Sequence, residues 1–396
     1  MLKIINFLVA LVFLADCAPQ PTQQGPAYLN GVLRSAVEQK WVPGIVAMAA
    51  NADGLIYEGA FGFNKATIFA IASMTKPITA VAVMQLVEAG KVSLDEPVAT
   101  YLPELGKMKV LERGILRPAK GVITVRQLLT HTSGFVYEFM NAELHDYVAQ
   151  GNVASFMADG DGFLQSPLLF DPGARWEYGI SSDWLGRLVE RISGETLDCY
   201  FRQRIFDPLG MQDTYFNVPA QMQSRLAPMY RRTKNGDLAQ DPPQPLKPVQ
   251  FFSGGGGLYS TAADYLTFAR AILRGGELGG RRILKSETIA EMGRNQIGGI
   301  TLGPRRSTMP DLLVDGSSRP GRPEKFGLGF GLNSRAIDNG RGANTMSWAG
   351  IYNTFFWIDR ERNVCAVFLS QMLPSGDPGP LKTVGEFDRA LYSRLK

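Results

Sequence analysis

The 396-residue chain is poor in the side chains that most often mark an active centre: it has two histidines, His131 and His145, and three cysteines, Cys17, Cys199 and Cys365. Two histidines without a close cysteine pair leave no spacing for a zinc site. No Gly-x-Ser-x-Gly turn occurs, so a Ser-His-Asp hydrolase has no nucleophile elbow to build on. The glycines Gly254 to Gly257 run into Leu258 rather than Lys-Ser or Lys-Thr, which excludes a phosphate loop. Their expected role is backbone freedom where chain segments crowd together. Basic side chains barely exceed acidic ones, 41 against 37 for a net +4. No basic run concentrates them, so nucleic acid is not an expected partner. Three distant cysteines make no disulfide scaffold, and a single Cys199–Cys365 bridge stays open.

Long apolar runs are also scarce. Lys3 precedes Ile4 to Ala15, interrupted by Asn6, a run too short to span a bilayer. Residues 1–17 read as a secretory signal, the alternative being a buried N-terminal helix. Leu14-Ala15-Asp16-Cys17 resembles a bacterial lipoprotein box, in which Cys17 would be acylated and attach the chain to a membrane. Asp16 stands where a small residue is usual. Residues 18–27 are Pro- and Gln-rich and read as a linker. The expected location is therefore secreted, periplasmic or at the cell envelope of a bacterium.

What remains, residues 28–396, reads as one domain. Helical periodicity covers Tyr28 to Lys40. Two strands, Gly44 to Ala50 and Leu55 to Phe63, flank an Asn-Ala-Asp-Gly turn. An apolar helix leads to Gly90. A short helix over Val125 to Leu129 ends in a turn. An amphipathic helix spans Ser182 to Ser193 with Gly194 at its stop. Pro219 to Pro248 reads as a surface excursion, and Thr261 to Leu273 as a helix. Ile297 to Lys325 reads as a long loop. Tyr352 to Ile358 and Val364 to Ser370 form a hairpin, followed by a closing helix over Leu381 to Leu395. Strands at both ends and helices between predict an α+β fold: one antiparallel sheet assembled from the two chain ends and flanked by helices. The sheet part takes residues 28–72 and about 325–396, with a mostly helical subdomain, about 73–324, inserted between.

Chemistry enters at Ala72-Ser73-Met74-Thr75-Lys76-Pro77. On a helix, Ser73 and Lys76 lie on one face. A serine hydroxyl needs an adjacent proton acceptor, and a neutral lysine amine can be one. Alone, two fixed residues in four recur about once by chance in a chain of this length. Ser73 could equally cap a helix, with Pro77 in its first turn. A second candidate is Tyr178, in a loop before the amphipathic helix. A tyrosine near such a pair can shuttle protons, though an aromatic there can simply pack. A third is Trp348-Ala349-Gly350 before the C-terminal hairpin. Glycine at a strand edge allows close approach of a substrate. His131 reads as a structural hydrogen-bonding residue near a turn.

Together, Ser73-Met74-Thr75-Lys76, Tyr178 and Trp348-Ala349-Gly350 resemble the three motifs of the serine β-lactamase and penicillin-binding superfamily. More closely they resemble the family VIII carboxylesterases, which are similar to class C β-lactamases. Leu128 to Gly134 and Gly254 to Thr261 also look like recurring stretches of that superfamily. The likeness spans about residues 28 to 390. Two positions depart from the β-lactamase pattern. Ile180 replaces the Asn of Tyr-x-Asn, and Trp348 replaces the lysine opening the third motif. A lysine there can pair with a substrate carboxylate. Trp348 offers an indole donor and an apolar face, which favours an uncharged ester. The Trp-x-Gly form is the esterase branch's own.

The resemblance implies a β-lactamase-like fold and a serine carboxylesterase acting on short-chain esters through an acyl-Ser73 intermediate. Lys76 and Tyr178 would move the protons. The backbone N–H groups of Ser73 and Ile351 would hold the oxyanion, beside Trp348 and Gly350. It implies no cofactor or metal, a small-molecule ester as partner and weak β-lactam turnover. An acyltransferase using the same acyl-serine, a true class C-like β-lactamase and a non-catalytic envelope binding protein are the competing readings.

Overall fold

The computed structural model describes residues 25–243, 245–316 and 323–395. The expected signal, Cys17 and residues 18–24 of the expected linker lie outside the described residues, and the linker's last two residues, Pro26 and Ala27, are helical instead.

The sheet forms as the sequence pattern requires. Helix α1 (Pro26–Glu38) starts with proline at its first turn and buries Leu29, Leu33 and Ala36, one face at helical spacing. Strands β1 (Ile45–Ala50) and β2 (Leu55–Phe61) follow as a hairpin. From the other chain end come β3 (Lys325–Phe326), β4 (Gly331–Leu332), β5 (Met346–Gly350), β6 (Thr354–Asp359) and β7 (Val364–Leu369). The order is β3-β4-β5-β6-β7-β1-β2, antiparallel throughout. The first and last parts of the chain meet where β1 pairs with β7, Met48 opposite Val367.

Both faces of this sheet are covered, so its central strands are buried at every position and read as continuous apolar runs. Alternate side chains divide between two cores. Ala47, Ala49, Trp357, Ala366 and Phe368 pack with α1 and the closing helix at Pro378–Tyr392, through Leu33, Phe387 and Leu391. Val46, Met48, Phe356, Cys365 and Val367 share the larger core with the helix at Ala262–Leu273, where the Tyr265 ring lies 5.0 Å from Phe356. That helix lies in the stretch read as the inserted helical part, yet it forms the sheet's inner layer.

Helix α2 (Thr75–Glu88) is apolar on all sides and buried on all sides, the expected environment for such a helix. It ends at Gly90, φ +67°, where the left-handed conformation favours glycine. Residues 219–248 are not a free excursion. Tyr230–Arg232 pairs with Leu238–Gln240 and with Met372–Leu373. Arg232 donates to the Asp377 carboxylate at 2.9 Å and to the Trp41 carbonyl at 2.8 Å, fastening the ladder to the body. The described part of the expected loop up to residue 316 is held as well: the Thr308 amide donates to the Phe139 carbonyl, and Val314 to Ser375. Cys365 is buried, Cys199 exposed, and both are free thiols, so the open question of a bridge is answered.

The glycine run sits where the sequence places it, between crowded segments. A Cβ on Gly254 would lie 2.5 Å from the Ser182 carbonyl oxygen and 3.2 Å from the Gly186 Cα. Both belong to helix α3 (Ser181–Ser193), so backbone would have to move. Gly254→Ala is expected to cost about 2 kcal/mol by overpacking. Urea unfolding monitored by fluorescence measures this, and a midpoint equal to wild type would contradict the packing described.

Candidate active site

The segment carrying Ser73 is held at several points before α2 begins. Phe69–Ala70 pairs with Tyr259–Ser260, and the Ile71 amide donates to the Leu258 carbonyl. Leu258 N–H in turn donates to Thr75 Oγ1 at 3.2 Å, and Tyr265 OH to the Met74 carbonyl at 2.8 Å. Ala72 has φ +44°, a left-handed conformation that costs a non-glycine residue about 1 kcal/mol. Ser73 therefore sits on a tight 3₁₀ turn, Ala72–Met74, rather than on one continuous helix with Lys76. Lys76 opens the first turn of α2.

The two side chains meet. Lys76 Nζ is 3.4 Å from Ser73 Oγ, and Lys76 is 2% exposed. The same nitrogen donates to the Gly255 carbonyl at 2.6 Å and lies 3.0 Å from Tyr137 OH. It also lies 4.7 Å from the Tyr178 ring centre.

Asp183 of α3 aims the Gly255 carbonyl. Its carboxylate accepts from Ser253 Oγ at 2.6 Å and from the Gly255 amide at 3.0 Å. A Cβ on Gly255 would lie 2.4 Å from Asp183 Oδ2, so glycine is needed there. Burial raises the Asp183 pKa; the Lys76 charge and the two donated bonds oppose that rise.

Tyr178 presents its ring to Lys76 and its hydroxyl to Trp348, whose Nε1–H donates to it at 3.2 Å. The Tyr178 and Trp348 ring centres are 5.1 Å apart. Gly350 closes β5 against the Ser73 turn. A Cβ there would meet the Ile71 carbonyl oxygen at 2.4 Å and Thr354 Oγ1 at 2.3 Å. The Ile71 carbonyl and Thr354 thus approach this glycine closely, and it lines the cavity as well. Ile351 follows it. Ser73, Tyr178, Trp348, Gly350 and Ile351 all line one cavity of about 1400 Å³. Its walls are rich in apolar side chains, among them Phe139, Phe156, Phe163 and Phe251.

His131 differs from its expected role. Its backbone carbonyl accepts from Glu177, but its ring works by packing, edge-on to Trp176 and Phe326 and 5.0 Å from Tyr178. Its buried Nδ1 has no hydrogen-bond partner. Two contributors escaped sequence reasoning altogether. Tyr137 is one aromatic among many in its stretch, and Asp183 is one polar residue on an amphipathic helix. Neither carries a local signal, because each acts through a neighbour remote in sequence.

The fold and the site define a serine β-lactamase-like scaffold: a sheet closed from both chain ends, with a buried lysine against a serine at the mouth of a helix. The Beta-lactamase family model matches residues 29–389, and the chain belongs to that family. Monacolin J acid methylbutanoyltransferase of Aspergillus terreus is 31% identical over 409 residues, covering 93% of this chain and 96% of that protein. Lovastatin esterase of Penicillium rubens is 28% identical over 385 residues, covering 86% and 91%. The unliganded structure of simvastatin synthase (LovD) from Aspergillus terreus superposes with a TM-score of 0.79 at 29% identity, over 93% of this chain and 98% of that one.

His131 makes stability depend on pH. Burial, reinforced by the Lys76 charge, lowers its pKa well below 6.5. The unfolded chain takes up this proton below about pH 6.5 while the folded chain does not. Stability is therefore full above pH 6.5 and falls as the pH drops from there toward the folded-state value. The expected contribution to the slope is up to about 1.4 kcal/mol per pH unit. His131→Asn, chosen because asparagine tolerates the left-handed φ of +57° here, should flatten the slope while lowering stability overall. Urea unfolding of both proteins between pH 7 and 5 compares the slopes. Equal slopes would show that His131 does not resist protonation.

Proposed function

We propose that this chain is a serine esterase whose Ser73 is acylated by uncharged esters, with Lys76 as the base and Tyr178 as its proton-shuttling partner. The observation that carries the reading is the approach of Lys76 Nζ to 3.4 Å from Ser73 Oγ at the wall of a large cavity. Lys76 takes the proton as Ser73 Oγ bonds to the ester carbonyl carbon. The backbone N–H groups of Ser73 and Ile351 stabilise the oxyanion. The carbon–oxygen bond to the alcohol then breaks, and the alkoxide leaves with a proton from Tyr178, restored from Lys76. Water repeats the sequence on the acyl-enzyme, regenerating Ser73 and releasing the acid.

Two features support an uncharged substrate of some bulk. Trp348 brings an indole rather than a cation to the site, so nothing at that position pairs with a carboxylate. The cavity of about 1400 Å³ exceeds the roughly 300–1,000 Å³ common for small-ligand pockets, far more than a short acyl chain requires. The same volume favours a second reading, transfer of the acyl group to a bulky alcohol. The methylbutanoyltransferase name borne by one relative adds weight to it.

Ser73→Ala is expected to lower kcat for p-nitrophenyl butyrate at least about a hundredfold. Wild type should open a chromogenic cephalosporin far more slowly than it cleaves this ester. Turnover within a few-fold of wild type in Ser73→Ala would refute the reading. Adding a bulky secondary alcohol separates the two outcomes. Acid as the sole product supports hydrolysis, and a new ester in the chromatogram supports transfer.

A further inference from the structure

To take the proton of Ser73, Lys76 must turn an amine lone pair toward Oγ. An sp³ amine then has two N–H bonds to place, and inside a protein each needs an acceptor. The Gly255 carbonyl, at 2.6 Å, takes one. The position two residues after Tyr178, an asparagine in the β-lactamase pattern, holds the apolar side chain of Ile180, which offers none. The Tyr178 hydroxyl is engaged by Trp348 at 3.2 Å and meets Lys76 through its ring. The remaining polar atom beside Lys76 Nζ is the hydroxyl of Tyr137, at 3.0 Å.

We infer that Tyr137 is a positioning residue: its hydroxyl oxygen accepts the second N–H of Lys76 and so turns the lone pair toward Ser73. The inference rests on the assignment of Ser73 and Lys76 above and deepens it. Tyr137 is well placed to act as a fixed acceptor. It is 7% exposed, stacked on Phe139 with ring centres 5.0 Å apart, and set edge-on against Phe156. Its backbone amide donates to the Tyr178 carbonyl at 3.1 Å, so the two tyrosines flank the lysine as one unit. Burial, with the nearby Asp183 charge, pushes its pKa well above 10, and its hydroxyl stays protonated at neutral pH. The two tyrosines thus divide the work. One holds the base and the other faces the substrate beside Trp348.

The test uses the full-length chain, p-nitrophenyl butyrate and a fluorophosphonate probe that labels the reactive serine. Tyr137→Phe removes one oxygen and keeps the ring. It should lower kcat by roughly tenfold to a hundredfold, the loss expected for one hydrogen bond to a charge-bearing group. KM should stay within about twofold, and the rate of fluorophosphonate labelling should fall in parallel. Tyr137→Gln and Tyr137→Leu form a second, near-isosteric pair, with and without an acceptor oxygen. The glutamine variant should label several-fold faster than the leucine variant. A rise in KM with unchanged kcat would reduce Tyr137 to a wall of the pocket and overturn the inference. Equal labelling of the Gln and Leu variants would overturn it too. If Ser73→Ala kept its activity and its labelling, the assignment of Ser73 itself would fall, an outcome separate from either of these.

Discussion

A lysine nitrogen held out of water is the constraint on which this structure turns. Lys76 is 2% exposed, and a buried amine must have its hydrogen-bonding capacity met. The Gly255 carbonyl, the Tyr137 hydroxyl and Ser73 Oγ meet it. Each of these partners is fixed by something further away. Gly255 is set by the Asp183 carboxylate, Tyr137 by its pairing with Tyr178, and Ser73 by the strained turn at Ala72. These partners belong to elements far apart in sequence that pack into one common core.

Close backbone approaches make that convergence feasible. Gly254 and Gly255 let the glycine run press against α3, and Gly350 lets β5 close on the Ile71 carbonyl. At each position any side chain would separate elements that have to touch. The closing contact between β1 and β7 brings the N-terminal hairpin, and the Ser73 turn that follows it, to the same sheet as Trp348 and Gly350. Without it, residues separated by more than 270 positions could not share one cavity.

The chemistry the site favours follows from what stands at its rim. In place of a cation the third motif presents Trp348, which engages Tyr178 and contributes an apolar face. His131, buried without a hydrogen bond to its Nδ1, braces the tyrosine from the other side by ring contact alone.

By itself the sequence marked the main helices and strands and put Ser73, Lys76, Tyr178 and Trp348 forward as candidates. Helix stops at Gly90 and Gly194, the Asn-Ala-Asp-Gly turn and the apolar runs of β1, β6 and β7 are local signals, because backbone preference and side-chain periodicity act over a few residues. The Ser73–Lys76 spacing is local as well, and the order of strands and helices was enough to predict a sheet built from both chain ends. Only the tertiary structure decided the rest. It made the helix at Ala262–Leu273 a layer of the sheet, turned Gly350 toward Ile71, pinned residues 219–248 through Arg232, and brought Tyr137 and the Gly255 carbonyl to Lys76. The pair contacts among them join residues from 61 (Lys76 and Tyr137) to 350 − 71 = 279 (Gly350 and Ile71) positions apart. No periodicity records them, since they arise when whole elements pack and their side chains compete for the same few buried partners.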